Sequence, residues 1–81
     1  MSHTPHELAE EFPQHVDLIH RLKTEDAHFA RLADQYHDIN RAIHRAETLL
    51  EPVSGDHEIE LRRNRLALKD EIARMLNAAS A

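Results

Sequence analysis

Apolar residues recur along the middle of the chain at Phe29, Leu32, Tyr36, Ile39, Ile43, Ala46 and Leu50, in alternating steps of three and four. A stripe with a seven-residue period keeps one helical face turned toward a partner helix, which is the coiled-coil pattern. After a short break a second stripe follows at Leu61, Leu68, Ile72 and Met75. The two stripes predict an all-α fold: an antiparallel coiled-coil helical hairpin, about residues 25–50 and 56–77. Folding the chain about Val53 pairs Ala46 with Leu61, Ile39 with Leu68, Tyr36 with Ile72 and Leu32 with Met75.

The connection is Pro52-Val53-Ser54-Gly55. Pro52 disfavours helical geometry in the residue before it, so the long helix should end by Glu51. Ser54 or Asp56 is expected to cap the last helix, and the chain beyond Asn77 to fray. A connection this short makes the two helices antiparallel neighbours. At the other end of the long helix, Thr24 is the candidate N-cap, with Glu25 and Asp26 in the first turn where the helix dipole favours negative charge. The chain either bends at Thr24 or runs on.

Residues 1–3 are expected to be disordered, and one or two short helices to occupy about residues 4–23. Thr4 is the candidate N-cap of the first, with Pro5 at the first helical position and Glu7 completing a capping box. Leu8, Phe12, Val16, Ile19 and Leu22 follow at helical spacing. Pro13 interrupts them, because it lacks a donor and pushes Phe12 out of helical geometry. A break there is preferred to a kink. Leu22 lies seven residues before Phe29, so this segment either extends the seam or folds over its open end.

Arg65 breaks the second stripe, roughly opposite Ile43. One reading packs its stem in the seam and sends its head to Glu47 or water. The sharper reading makes it a register-fixing polar residue. On the first reading, Arg65→Leu should leave stability unchanged or higher.

Asp17-Leu18-Ile19, Leu22, His28-Phe29, Leu32, Tyr36, Ile39-Asn40, Ile43 and Glu47, and then the continuous run Leu61 to Ile72, form an ordered set. Its densest part reads L-R-x-x-R-L-x-L-K-D-E-I. This set resembles the YdcH-like family of small bacterial proteins over about residues 12–76, with residues 1–11 as an N-terminal extension. The resemblance implies a helical hairpin in a bacterial cytoplasm. It implies no activity, since the family is largely without an assigned function.

Composition narrows the possible chemistry. The 81 residues hold no cysteine, so no disulfide compensates for a thin core, and the three aromatics are Phe12, Phe29 and Tyr36. The absence of cysteine also fits a reducing compartment. No basic region precedes an apolar core at the N-terminus, and no apolar run reaches the roughly 18 residues of a membrane span. A cytoplasmic protein without a membrane partner is expected. The net charge is −5 with histidine neutral, which disfavours general binding to nucleic acid. The imbalance is local: residues 1–55 carry 5 basic and 10 acidic side chains, and residues 56–81 carry 5 of each.

Eight histidines (His3, His6, His15, His20, His28, His37, His44 and His57) raise the question of a metal. Helical ligands pair at i and i+3 or i+4. His3 and His6 have that spacing but straddle a helix start, His15 and His20 are five apart, and His37 and His44 lie about 10 Å apart along the axis. No metal or other cofactor is expected. Carboxylates have helical partners instead, Asp38 with Arg41, Glu58 with Arg62 and Asp70 with Arg74, worth about 0.2–0.5 kcal/mol per pair in isolated helices. Serines and threonines sit at caps and ends without a base, and Gly55 is the only glycine, so neither an acyl-transfer site nor a phosphate loop is expected. The chain reads as no enzyme and takes no small-molecule substrate.

Two surface readings remain. Ile59, Leu66, Leu76 and Leu49 fall to the sides of the seam, more apolar surface than a two-helix layer covers. That favours an interaction module that self-associates or takes a helical protein partner. The cluster Arg62, Arg63, Arg65, Lys69 and Arg74 offers the alternative, an RNA- or ribosome-associated hairpin. The candidate partner surface is Arg62, Arg63, Arg65, Lys69, Leu66 and Leu76.

Overall fold

In the computed structural model, residues 6–47 and 55–80 are described. They form α1 (Leu8–Glu11), a 3-10 turn (Pro13–His15), α2 (Val16–Glu25), α3 (Ala27–Glu47) and α4 (Gly55–Ser80), with no strand among them. Thr4 and Pro5, the turn residues Pro52, Val53 and Ser54, and the apolar Leu49 and Leu50 lie outside the described residues.

Pro13 breaks the chain rather than kinking it. Phe12, driven from helical geometry by the ring that follows, has φ −130° and ψ 61° and ends α1. Pro13 then opens the 3-10 turn that leads into α2.

The junction of α2 and α3 corrects the expected cap. Asp26, with extended φ −126° and ψ 107°, separates the helices, and its Oδ1 accepts the backbone N–H groups of His28 at 3.0 Å and Phe29 at 3.1 Å. A carboxylate at that position satisfies two donors and places negative charge at the positive end of α3. Thr24 is one turn earlier, still inside α2, where its hydroxyl donates back to the carbonyl of His20 at 3.2 Å. Asp56 is likewise no cap: α4 begins at Gly55, so Asp56 belongs to its first turn. That helix also continues past Asn77 to Ser80, through alanines that favour helix.

The main core is built where all the helices meet. Leu8, Ile19, Phe29, Leu32, Ala33, Tyr36, Ile72 and Leu76 are buried together, with Phe12, Leu18, Leu22, Leu68 and Met75 packed around them. The N-terminal helices therefore dock on α3 and α4. Ile43 and Ala46 continue the buried face farther along α3.

The buried face of α3 is not the strict heptad stripe. Ala33 and Asn40, each one residue past a stripe position, are buried at 4% and 1%, whereas Ile39 is only half-buried. A straight helix turns every 3.6 residues and drifts against a seven-residue repeat, and the N-terminal helices pack on the flank toward which it drifts. The same flank explains the main correction on α4. Leu76, expected at the side of the hairpin, is 1% exposed in the core, while Leu61, Leu68 and Met75 are half-buried. Burying a leucine this completely contributes about 1.5–3 kcal/mol.

Polar contacts between α3 and α4 follow one order. Arg62 meets Glu47 at 3.6 Å, Arg65 meets Asn40 at 3.0 Å and Glu71 meets His28 at 3.9 Å. As α4 advances, its partners run backward along α3. No helix among the described residues is long and apolar enough to cross a membrane.

Candidate functional site

The side chains of α4 divide into those the fold consumes and those it leaves outward. Arg62 donates to Glu58 one turn earlier at 2.9 Å and lies 3.6 Å from Glu47 on α3. The hydrogen bond to Glu58, aided by the charge of Glu47, favours its protonated form further. Lys69 reaches the N-terminal segment: its Nζ is 2.7 Å from Glu11 Oε1 and 5.9 Å from the centre of the Phe12 ring, within cation–π range. The Lys69 hydrogen bond is the main reason the Glu11 carboxyl lies below its ordinary pKa. Arg74 pairs with Glu71, not with Asp70 as the helical spacing had suggested.

Arg65 turns inward. Its Nη1 donates to Oδ1 of Asn40, which is 1% exposed. The hydrogen bond goes to Asn40 rather than to Glu47, which meets Arg62. Asn40 lies within one turn of Ile43, and the pair joins α3 to α4. Sequence reasoning caught Asn40 only through the family resemblance. A signal was present, since a polar residue beside the stripe stands within reach of the polar residue that interrupts the opposite stripe.

The N-terminal joint was not foreseen in any detail. Tyr36 Oη donates to the backbone carbonyl of His6 at 2.6 Å, and His6 has φ 65°, in the left-handed region uncommon for residues other than glycine. His6 Nδ1 stands 3.6 Å from Glu11 Oε2, and His37 Nδ1 stands 3.1 Å from Glu7 Oε2. Burial, and to a lesser degree the negative charge of Glu11, pushes the Tyr36 phenol up to about 12, with Arg65 opposing. No pattern in the sequence points to a bond between a tyrosine hydroxyl and a main-chain carbonyl 30 residues away.

Two open grooves flank α3. One, of about 580 Å³, lies between the N-terminal segment, α2 and α3, and includes Glu7, Asp17, His20, Asp34 and His37 in its walls. Among the described residues, however, no three His, Cys, Asp or Glu side chains are placed to hold a metal ion. The other, of about 540 Å³, lies on the opposite flank between α3 and α4, walled by Gln35, Ile39, Ala42, Asn64, Ala67 and Leu68.

What α4 leaves outward is a short stripe. Ile59 is 51% exposed and Leu66 is 60% exposed, seven residues apart, and Ala73 continues the interval half-buried. Arg63 and Asp70, again seven apart, run beside the stripe and are both exposed. The expected partner surface is therefore dispersed: Leu76 is in the core, Arg65 holds Asn40, Lys69 holds Glu11 and Arg62 holds Glu58. Arg63 and Leu66 remain, joined by Ile59 and Asp70.

Comparison with known proteins agrees with the ordered set of residues noted above. The family described as "Protein of unknown function (DUF465)" matches residues 29–76, which takes in all of α3 from Phe29 and α4 as far as Leu76. The chain is 32% identical over 69 residues to the "Uncharacterized protein YdcH" of Escherichia coli (strain K12), covering 85% of this chain and 93% of that protein. The protein of the same name from Shigella flexneri matches with the same identity and coverage. No solved structure matches. The chain belongs to the YdcH-like family of proteins of unknown function, DUF465.

Proposed function

We propose that this protein is a non-enzymatic helical interaction module of the cytoplasm. In this reading α3 and α4 form an antiparallel coiled-coil hairpin, the N-terminal helices brace one end of it, and the outward stripe of α4 receives a helix of a protein partner or of another copy of the chain. The observation that carries it is the exposure of Ile59 and Leu66, one heptad apart on one helix face. Two large aliphatic side chains held outward at coiled-coil spacing are a seam without its second helix.

The nucleic-acid alternative has less support. Phosphate binding needs uncompensated cations along one face. Arg62, Lys69 and Arg74 each hold a carboxylate and Arg65 holds an amide, which leaves Arg63 as the one cation of the cluster without such a partner among the described residues. The net charge of −5 adds long-range repulsion. An enzymatic reading has no constellation to rest on: neither groove among the described residues pairs a nucleophile with a base and an orienting group.

A photo-crosslinking residue placed at position 66 tests the module in cell extract. Adducts are expected there, absent from the same residue placed at Asp34 and lost when Ile59→Glu is added. No adduct specific to position 66, whether of one partner or of the chain itself, would overturn the reading.

A further inference from the structure

Resting on that reading, we infer that the occupant of the outward stripe is a second copy of this chain, with the two α4 helices packed antiparallel about Leu66. The argument combines the apolar spacing with the charges beside it. Ile59, Leu66 and Ala73 are spaced seven and seven, so the stripe is symmetric about its middle residue. A two-fold axis at Leu66 sets Leu66 against its own copy and Ile59 of each chain against Ala73 of the other. The larger end residue meets the smaller one. An isologous contact needs such self-complementarity, in which i meets j and j meets i.

The charges select the orientation. Arg63 and Asp70 lie on one flank of the stripe, three residues before and four residues after Leu66. Neither has an ion-pair partner among the described residues. In a parallel two-fold pair opposite flanks of the stripe meet, so Arg63 would come level with the other copy's Arg62, a like charge, and Asp70 with a Lys69 that already holds Glu11. In the antiparallel pair each Arg63 lies within one residue's rise, about 1.5 Å, of the other copy's Asp70. Two equivalent Arg–Asp contacts then close one side of the seam. On the opposite flank Arg62 comes level with the other copy's Lys69, but each carries its own carboxylate, Glu58 and Glu11.

The contact also answers a structural shortage. The N-terminal helices cover α3 and α4 around Phe29, Tyr36, Ile72 and Leu76. Ile59 and Leu66 belong to the other part of α4, over which no described helix passes. A second α4 supplies the missing layer.

Sedimentation and light scattering of the full chain across concentration are expected to show a monomer–dimer equilibrium. Arg63→Asp and Asp70→Arg, each of which makes the facing charges alike, should weaken it about tenfold, and the two together should restore it. The chain has no cysteine, so Leu66→Cys introduces a single thiol. Under mild oxidation it should form a covalent dimer faster than Asn64→Cys, whose thiol lies in the α3–α4 groove. All these positions are exposed, and circular dichroism of each variant checks that helicity is kept. A dimer indifferent to the charge reversals, or one that links faster at position 64, would overturn this geometry. A wild-type chain that stays monomeric would overturn self-association. In that case an extract adduct of foreign mass at position 66 keeps the module reading, and the lack of any adduct ends that reading too.

Discussion

The contact between Asn40 and Arg65 is the place where a sequence argument and the structure predict opposite signs. If Arg65 merely passed through the seam on its way to water, Arg65→Leu would be neutral or stabilising. In the structure its guanidinium donates at 3.0 Å to an amide oxygen on a residue that is 1% exposed. Leucine removes that donor and leaves the oxygen where solvent does not reach. A hydrogen bond to a charged group contributes about 1.5–3 kcal/mol. Arg65 is only half-buried, so we lower the expected loss to about 1–2 kcal/mol, or roughly 5–15 °C in Tm for a chain of this length. Asn40→Leu should cost less, under about 1 kcal/mol, because an unpartnered arginine can swing its head outward and a buried amide cannot. The double replacement sets leucine against leucine and should recover most of the loss, giving a coupling of about 1 kcal/mol or more. Urea and thermal unfolding followed by circular dichroism would measure all four corners of the cycle, at one protein concentration so that association does not enter. Additive losses, or an Arg65→Leu chain within about 0.5 kcal/mol of wild type, would refute the claim that this pair is a buried unit.

Three further outcomes are expected. Leu76→Ala should cost about 2–5 kcal/mol, since a core leucine leaves a cavity, whereas Leu66→Ala should change monomer stability by no more than about 0.5 kcal/mol; dilute-solution unfolding separates them. The Tyr36 phenol titrates near 12 in the folded chain and near 10 when unfolded, so the folded state holds that proton more tightly. This contribution is complete below pH 10 and is lost as pH rises toward 12. Phenolate absorbance reports Tyr36 alone, because the chain has one tyrosine and no tryptophan, and a native titration that overlays the urea-unfolded one would sink the assignment. Glu11 moves the other way: its pKa is depressed from 4.5 chiefly by the Lys69 hydrogen bond, so its contribution is present above that value and lost as pH falls through the folded value. Lys69→Met should return the carboxyl toward its ordinary range in an NMR titration and speed amide exchange in α1, and an unmoved Glu11 would contradict the contact.

The elements easiest to read from the sequence were those fixed by many residues at once. Period-seven stripes marked α3 and α4, and Pro13 marked a break, because each rests on a local steric or periodic rule. The cap at Asp26 was harder. Thr24, Glu25 and Asp26 are three adjacent residues able to serve as caps or acidic first-turn residues, and nothing in their spacing says which one leaves the helix. Leu76 was misplaced for a related reason. A stripe drawn on two helices cannot foresee that a third layer widens the buried face on one flank. The N-terminal joint was least legible. Its anchors are a main-chain carbonyl on His6 and carboxylates on Glu7 and Glu11, which reach Tyr36, His37 and Lys69 through folding alone.

These differences share a cause that also bears on function. The described residues are layered more deeply at one end than at the other. Around Phe29, Tyr36, Ile72 and Leu76 the two long helices are covered by α1 and α2, and the buried face there is wide enough to take in Ala33 and Leu8. Toward Ile43 and Ala46 the described chain offers only α3 against α4, and outward side chains of α4 such as Ile59 and Leu66 have nothing over them. Asn40 and Arg65 sit where the deeper layering gives way to the shallower. A polar pair at that point costs less than it would deep in the four-helix end, since Arg65 is only half-buried. The polar pair therefore ties α4 to α3 at the point beyond which the N-terminal helices no longer cover them.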